Sequence, residues 1–580
     1  MKTSSTELHG RRGSCAALAF LLAGCSGDTP VTPKPSEAKC DGVAVTVRTL
    51  APFERVVISG SDVTCFALSG GDREYLVVPQ LTGAALPYGG YGFRLGDPTA
   101  VTARVQSPNV DEPAWLRIAQ GQASAEQAPD AQAVLDLRMR AREASWHPAA
   151  GARTTDVRLR VQTAQAAIDT TRSFSVLNTL AAAPGYTPVG ARLRFAGTRV
   201  LLYVDTLAAA AFTDAELTGM GTLYDQRLAP AVNSTFGAGS DIDANARVIF
   251  LLTPTVNAMV SASQCTATGF VRGFFYNHDL SSTDATSNRG EVFYAYVPDA
   301  TGRWSCAHTK SDVLANLPPT FMHELQHMVS FGEHAIKRNG TAEEVWLNEG
   351  LSHMAEEIGS LTYETRFPAP SGRTNPASIF PDSASPFINP NVLYSYRFLF
   401  SSAIYSVTSC APGTFCSLAE RGGTWLFLRW IADQRGSATF RSLVETNLTG
   451  RANLEAVTGR QTAVLLGDFA LSVSADSVIG VARTAAPATL RFSRRNLRQL
   501  YKSLFDVFGI QGGVGRPFPI EPLALASGTN LTGTMRPGTF LTYRMRLNAS
   551  TPSAVLRMLA ADGTPFPASS GAQVSILRMP

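Results

Sequence analysis

The chain is poor in charge. Asp, Glu, Lys and Arg make up 17% of its residues, and no long run of either sign occurs. A net charge of +4 is slight for 580 residues, so nucleic-acid binding has no compositional support. Beyond residue 25 no apolar run is long enough to cross a bilayer as a helix. No two cysteines stand in C-x-x-C spacing, which argues against a zinc ribbon or a dithiol redox site. What is present is a folding composition: 45% hydrophobic residues with 48 glycines and 34 prolines, as in an exported protein rich in sheet and loop. The length exceeds one ordinary domain and predicts three or four.

The first 25 residues read as a processing signal. Lys2, Arg11 and Arg12 precede an apolar stretch that ends in Leu22-Ala23-Gly24-Cys25. This ending resembles a bacterial lipoprotein box, which implies export, lipidation of Cys25 and anchoring in the cell envelope. By the same resemblance, Ser26 after the cysteine implies the outer membrane in a Gram-negative cell. Residues 26–39 form a polar, Pro-rich tether. With Cys15 and Cys25 set aside, six cysteines remain, and six permit 15 complete pairings. Locality favours Cys40–Cys65, Cys265–Cys306 and Cys410–Cys416, staples suited to an oxidising compartment.

Short β-branched and aromatic runs broken by Gly, Pro and Asp predict an N-terminal β-rich domain over 40–107, with Tyr88, Tyr91 and Phe93 in its core. Residues 108–165 are a helical connector or pro-segment whose helix lies at 131–144. Residues 166–480 carry strands first and helices later, including a helix over Phe212–Leu228 capped by Thr213. Asp241, Asp243 and Asn245 alternate ahead of an apolar strand. A helix–loop–helix Ca²⁺ site needs more oxygen ligands and a terminal Glu, so a tight turn is preferred there to Ca²⁺. Gly273, Phe274 and Phe275 are expected near a cleft, on an edge strand able to pair with an extended peptide. Residues 481–580 return to strands and turns as a C-terminal β-rich domain, with Arg491, Arg494, Arg495 and Arg498 read as a solvated face.

Chemistry concentrates in residues 313–357. His323, Glu324 and His327 form H-E-x-x-H inside an apolar periodic run, with Pro318, Pro319 and Thr320 marking the start of its helix. One helical turn apart, the two imidazoles lie on one face, where they can share an ion. Glu324 stands beside them as a general base. Glu349 follows His327 by 22 residues, in W-L-N-E-G at the start of a second helix. Two imidazoles and a carboxylate leave Zn²⁺ a fourth position for water, the arrangement of a catalytic site. His353, one turn beyond Glu349, is a donor behind a ligand, a substitute ligand or a solvated residue.

The segments FMHELQHMVSF and EEVWLNEGLSHMAEE resemble the gluzincin metallopeptidases, and within that group the hyicolysin-type neutral zinc metallopeptidases. TRVLLYVD, SDIDANARVIFLLTPTVNA, NRGEVFYAYVPD, TWLFLRWIADQRG and LVETNLTGRANLEAVTG extend the resemblance over most of 172–470. It implies a multidomain α+β protein with a thermolysin-like zincin catalytic domain between the two β-rich domains. It further implies one catalytic Zn²⁺ held by His323, His327 and Glu349, with Glu324 as base. The family's helix places an Asp four residues after the ligand Glu. This chain has His353 there, so the role of orienting an imidazole passes to another carboxylate, Glu356. Tyr394, Tyr396, Arg397 and His308 are candidate donors to a developing oxyanion, with Tyr396 preferred. The implied activity is endopeptidase action on a protein or peptide substrate. A catalytically silent surface-binding lipoprotein is the first alternative, and the intact Glu324 argues against it. A zinc aminopeptidase is the second, and the chain has no G-x-M-E-N-like segment for it.

Overall fold

Strand edges carry unpaired N–H and C=O groups, and this chain covers them by pairing its two ends with each other. A computed structural model describes residues 38–83, 90–100, 103–105, 130–146, 169–364, 380, 383–410, 416–477, 486–510 and 513–580. In one sheet Tyr543–Leu547, Arg73–Leu81, Ala572–Arg578 and Arg55–Ser59 are successive antiparallel neighbours. In the facing sheet Ser553–Ala560 lies between Phe66–Ser69 and Tyr91–Gly96, which also pairs with Asn530–Met535. Tyr75, Val77, Phe93, Tyr543, Met558 and Ile576 fill the space between the sheets. The β-rich ends expected as two separate units therefore alternate strand by strand in one sandwich. Neither end has enough strands to cover its own apolar faces. Residues 488–508 are not strand either: a short turn leads to a helix over Leu497–Phe508, capped by Asn496.

The middle of the chain is built on a six-stranded sheet. Its strands are β1 (Thr171–Leu177), β2 (Tyr186–Ala196), β3 (Val200–Asp205), β4 (Val248–Leu252), β5 (Gly273–Phe275) and β6 (Val292–Ala295). The order is β5-β6-β4-β3-β2-β1, with β3, β4 and β6 mutually parallel and β5 an antiparallel edge. β4 and β6 are almost wholly buried apolar runs, as strands covered on both faces are. The helix expected over Phe212–Leu228 begins at Asp214, and Thr213 and Glu216 form its capping box.

Five helices position the site: α1 (Ala131–Ala144), α2 (Lys310–Phe331), α3 (Val345–Leu361), α4 (Ser385–Phe400) and α5 (Leu418–Arg435). α2 begins well before Thr320, because Thr309 accepts the Asp312 N–H as its cap. Pro318 and Pro319 sit inside the helix on a half-exposed turn, where carbonyls left without a partner can face water. Beyond the prolines α2 is buried. Phe321 stacks on Tyr224 at 4.6 Å and packs against Phe250 and Phe293 of the sheet, which fixes the rotation of the H-E-x-x-H turns.

The pairs Cys40–Cys65, Cys265–Cys306 and Cys410–Cys416 are formed. Among the described residues no helix is long and apolar enough to cross a membrane. The signal, Cys25, nearly all of the tether, Tyr88 and most of 108–165 lie outside the described residues. Ile576 is fully buried in the central strand that the C-terminus contributes to the sandwich. Ile576→Ala should cost about 2–5 kcal/mol, read from urea unfolding of the whole chain. Unchanged stability would mean that this strand does not hold the sandwich together.

Candidate metal centre

α2 and α3 cross so that three ligand-type side chains converge. His323 Nε2 and His327 Nε2 are 3.1 Å apart. Glu349 Oε2 lies 3.5 Å from the first and Oε1 3.7 Å from the second. Two ligands each about 2.0–2.1 Å from a tetrahedral ion sit about 3.4 Å apart, so these separations fit Zn²⁺. All three side chains are buried, and the Glu349 carboxylate is met by the two imidazoles and by the Arg421 guanidinium. A buried carboxylate is costly unless positive charge meets it. The donor set and the geometry are those of a single catalytic-type zinc site.

The outward nitrogens are committed elsewhere. His323 Nδ1 lies 2.8 Å from Glu356 Oε1, and His327 Nδ1 lies 3.0 Å from Asn348 Oδ1. Donation from each Nδ1–H turns Nε2 into the free lone pair that a metal requires. Glu356 is two turns beyond Glu349 on α3, which puts both acids on the face turned to α2. The electrostatics call for positive charge. Burial works to lower the pKa of His323, yet Glu349 and Glu356 hold it up at about 10. Burial works to raise Glu356, but His353 and His323 hold it down to about 2. Burial likewise opposes ionisation of Glu349, and Arg421 with the two histidines keeps it well below the usual carboxylate range.

Arg421 of α5 reaches this centre because two glycines let the helices touch. A Cβ on Gly350 would collide with Thr424 of α5, and one on Gly422 would collide with the Tyr394 backbone of α4. Each glycine costs a helix interior about 1 kcal/mol, which the close crossing explains. Arg421 Nη1 then stands 2.9 Å from Glu349 Oε2. At the far end of α3, Arg495 is fully buried between Glu357 and Glu364, at 2.7 Å from each. Arg495 is therefore no part of a solvated face. Three buried charges there satisfy one another instead.

Glu324 is buried beside the cluster, and its Oε2 accepts the Phe275 N–H of β5 at 3.0 Å. Burial raises its pKa, against the pull of His323. Gly273, Phe274 and Phe275 thus lie next to the centre. His353 Nδ1 is 3.2 Å from Glu356 Oε1, with its ring 5.0 Å from that of His323. It stands behind His323 and shares its carboxylate.

Tyr396, the preferred oxyanion donor from the sequence, has its hydroxyl committed elsewhere. Its hydroxyl donates to the Arg516 carbonyl and accepts the Arg516 N–H, packed in the core against Tyr501. Tyr394, half a turn back on α4, is the tyrosine that faces the site, with its ring 6.0 Å from His353. His308 packs 4.2 Å from Phe270 beside the Cys265–Cys306 bond. Asp241 and Asp243 form a carboxylate group with Glu291. In it Asp241 accepts the Ala246 N–H, Asp243 accepts from Asn245, and Glu291 takes Ser240 and the Ile242 N–H, the bonding of a turn ahead of β4. Asn348 and Arg421 were not singled out in the sequence. Asn348 stands next to the ligand in W-L-N-E-G, and Gly422-Gly423 inside a helical run was the signal of a close crossing near Arg421.

No protein-family model matches the chain. Over 169 residues, 29% of this chain, it is 26% identical to the neutral metalloprotease ShpI of Staphylococcus hyicus, and the match spans 36% of that protein's length.

Removing Glu349 should abolish zinc binding, since its carboxylate faces both Nε2 atoms. Glu356→Ala and Asn348→Ala should each weaken zinc by about 10–100-fold without abolishing it. Elemental analysis after equilibration with graded chelator reads all three. A Glu349→Ala protein that keeps zinc while His353→Ala loses it would make His353 the third ligand.

Proposed function

We propose that the protein is a zinc-dependent endopeptidase of the gluzincin group, hyicolysin-like in sequence and thermolysin-like in the layout of its catalytic part. The observation that carries the reading is Glu324: a base held at the metal cluster by the backbone of the adjoining edge strand. The similarity to a neutral metalloprotease over 169 residues supports it. When bound, Zn²⁺ supplies Lewis acidity, acidifying a water and polarising the scissile carbonyl.

The chain's own residues do the rest. β5 offers a backbone edge along which an extended peptide can lie, so its carbonyl is presented beside Glu324. Glu324 Oε2 is fixed by the Phe275 N–H, so the water proton is taken at Oε1 and returned to the leaving amine. Asn348 and Glu356 hold the two imidazoles in register throughout. Tyr394 is the side chain we assign to the oxyanion.

We also propose that the chain is exported and held at the envelope by a lipid on Cys25. Intact mass of the membrane-extracted protein should show a diacylglycerol adduct there, and an unmodified mass would refute it. For the chemistry, Glu324→Gln keeps the shape and the Phe275 contact but cannot take the proton. It should retain one zinc per chain while peptide turnover falls by about 10²-fold or more. Turnover within a few-fold of wild type would remove Glu324 from the base role.

A further inference from the structure

Helix α1 lies where a substrate is expected. Gln132 Oε1 accepts the Arg272 N–H at 2.9 Å, and its Nε2 donates to the Gly273 carbonyl at 3.0 Å. One side-chain amide thereby engages the backbone at the entry to β5, the N–H just before the strand and the carbonyl of its first residue. One turn on, Asp136 Oδ2 lies 3.1 and 3.2 Å from Arg421 Nη1 and Nη2, on the guanidinium that also meets Glu349. A further turn on, Arg140 and Glu143 bury an ion pair of 2.9 Å. Positions 132, 136, 140 and 143 share one helix face, and that face is turned to the metal centre. Arg140 acts electrostatically on Glu324 and His327, and Glu143 feels Glu349. Apolar contacts seat the helix: Leu135 and Met139 are buried, and Trp146 packs edge-on to Phe331 at 5.7 Å.

This face is a poor permanent core. Arg140 Nε and Nη1 have no hydrogen-bond partner among the described residues although the side chain is 4% exposed. A buried ion pair incompletely satisfied is usually less stable than apolar packing of the same volume. Its polar groups match the site better than they match a fixed wall.

We propose that α1 is an autoinhibitory plug: its Gln132–Glu143 face occupies the peptide cleft, and a polypeptide substrate binds only by displacing it. The proposal rests on the peptidase reading for its substrate. In the plugged state Asp136 holds Arg421, and the Gly273 carbonyl of β5 is taken by Gln132. In the open state both are released to the substrate.

The test uses the full chain loaded with zinc, as wild type and with Gln132→Ala and Asp136→Ala combined. Three quantities are read: zinc content, kcat/KM on a quenched peptide, and affinity for a small peptidyl hydroxamate. Apparent affinity scales with the open fraction, so unseating a plug that is closed nine-tenths of the time raises both binding and kcat/KM by about tenfold, with zinc unchanged. Hydrogen exchange of the 131–144 amides should accelerate by about tenfold or more when wild type is saturated with the hydroxamate. This second measurement needs no substitution. Equal kcat/KM and affinity in the two proteins, with exchange unchanged or slowed by the ligand, overturns the plug and leaves the peptidase reading standing. Tighter hydroxamate binding without turnover in either protein sinks the peptidase reading and leaves the plug. Absence of zinc from both proteins overturns the two together.

Discussion

A carboxylate with two imidazoles in front of it and a guanidinium behind it is the constraint around which the middle of this protein is arranged. Glu349 is buried, and the charges around it hold its pKa well below the usual carboxylate range. Such a group is tolerated only where positive charge is brought to it, and three helices are needed to do so. α2 brings His323 and His327, α5 brings Arg421, and α3 brings the acid itself. Gly350 and Gly422 follow from the same demand, since a side chain at either would hold the helices too far apart for Arg421 to reach.

The rest of the structure stiffens this crossing. Phe321 locks α2 to the sheet, and Arg495 with Glu357 and Glu364 locks the far end of α3 to the approach of the C-terminal helix. The sandwich contributes from outside. Arg55 pairs with Asp468 at 2.9 Å, and Gln80 and Gln573 reach carbonyls of the same segment, so the lower helices rest on a sheet that both chain ends complete. Rigid elements then carry every group for which a chemical role is argued, with β5 the only strand among them. That is the arrangement in which sub-ångström placement of a base is affordable.

The proposed plug and the proposed chemistry draw on the same groups. Arg421 meets Asp136 and Glu349 at once, and the backbone at β5 is engaged by Gln132 while its Phe275 N–H holds Glu324. A helix that satisfies a site's donors and acceptors competes with whatever the site evolved to hold, because each donor can be satisfied once. The pattern was latent in AQAVLDLRMRAREA, whose helical spacing put Gln, Asp, Arg and Glu on one face but gave no hint of what that face meets.

By itself the sequence determined what depends on spacing within one element. H-E-x-x-H on a helix, the acid 22 residues later, the 131–144 helix with its bounds, the Thr213 cap and three local cysteine pairs are all short-range facts, set by helical periodicity and chain locality. It misled where partners are remote. Thr320 and two prolines looked like a helix start, because local rules do not register the tertiary contacts that carry α2 through them. Arg495 looked solvated because its two acids are more than a hundred residues away, and Tyr396 looked catalytic because only packing reveals that its hydroxyl is spent on Arg516. Tertiary structure alone decided that the two β-rich ends are one sandwich, that Arg421 stands against Glu349, and that α1 lies on the metal centre. Pairing between distant strands and the matching of buried charges are fixed by which surfaces must leave water together, and no local pattern in the chain encodes that choice.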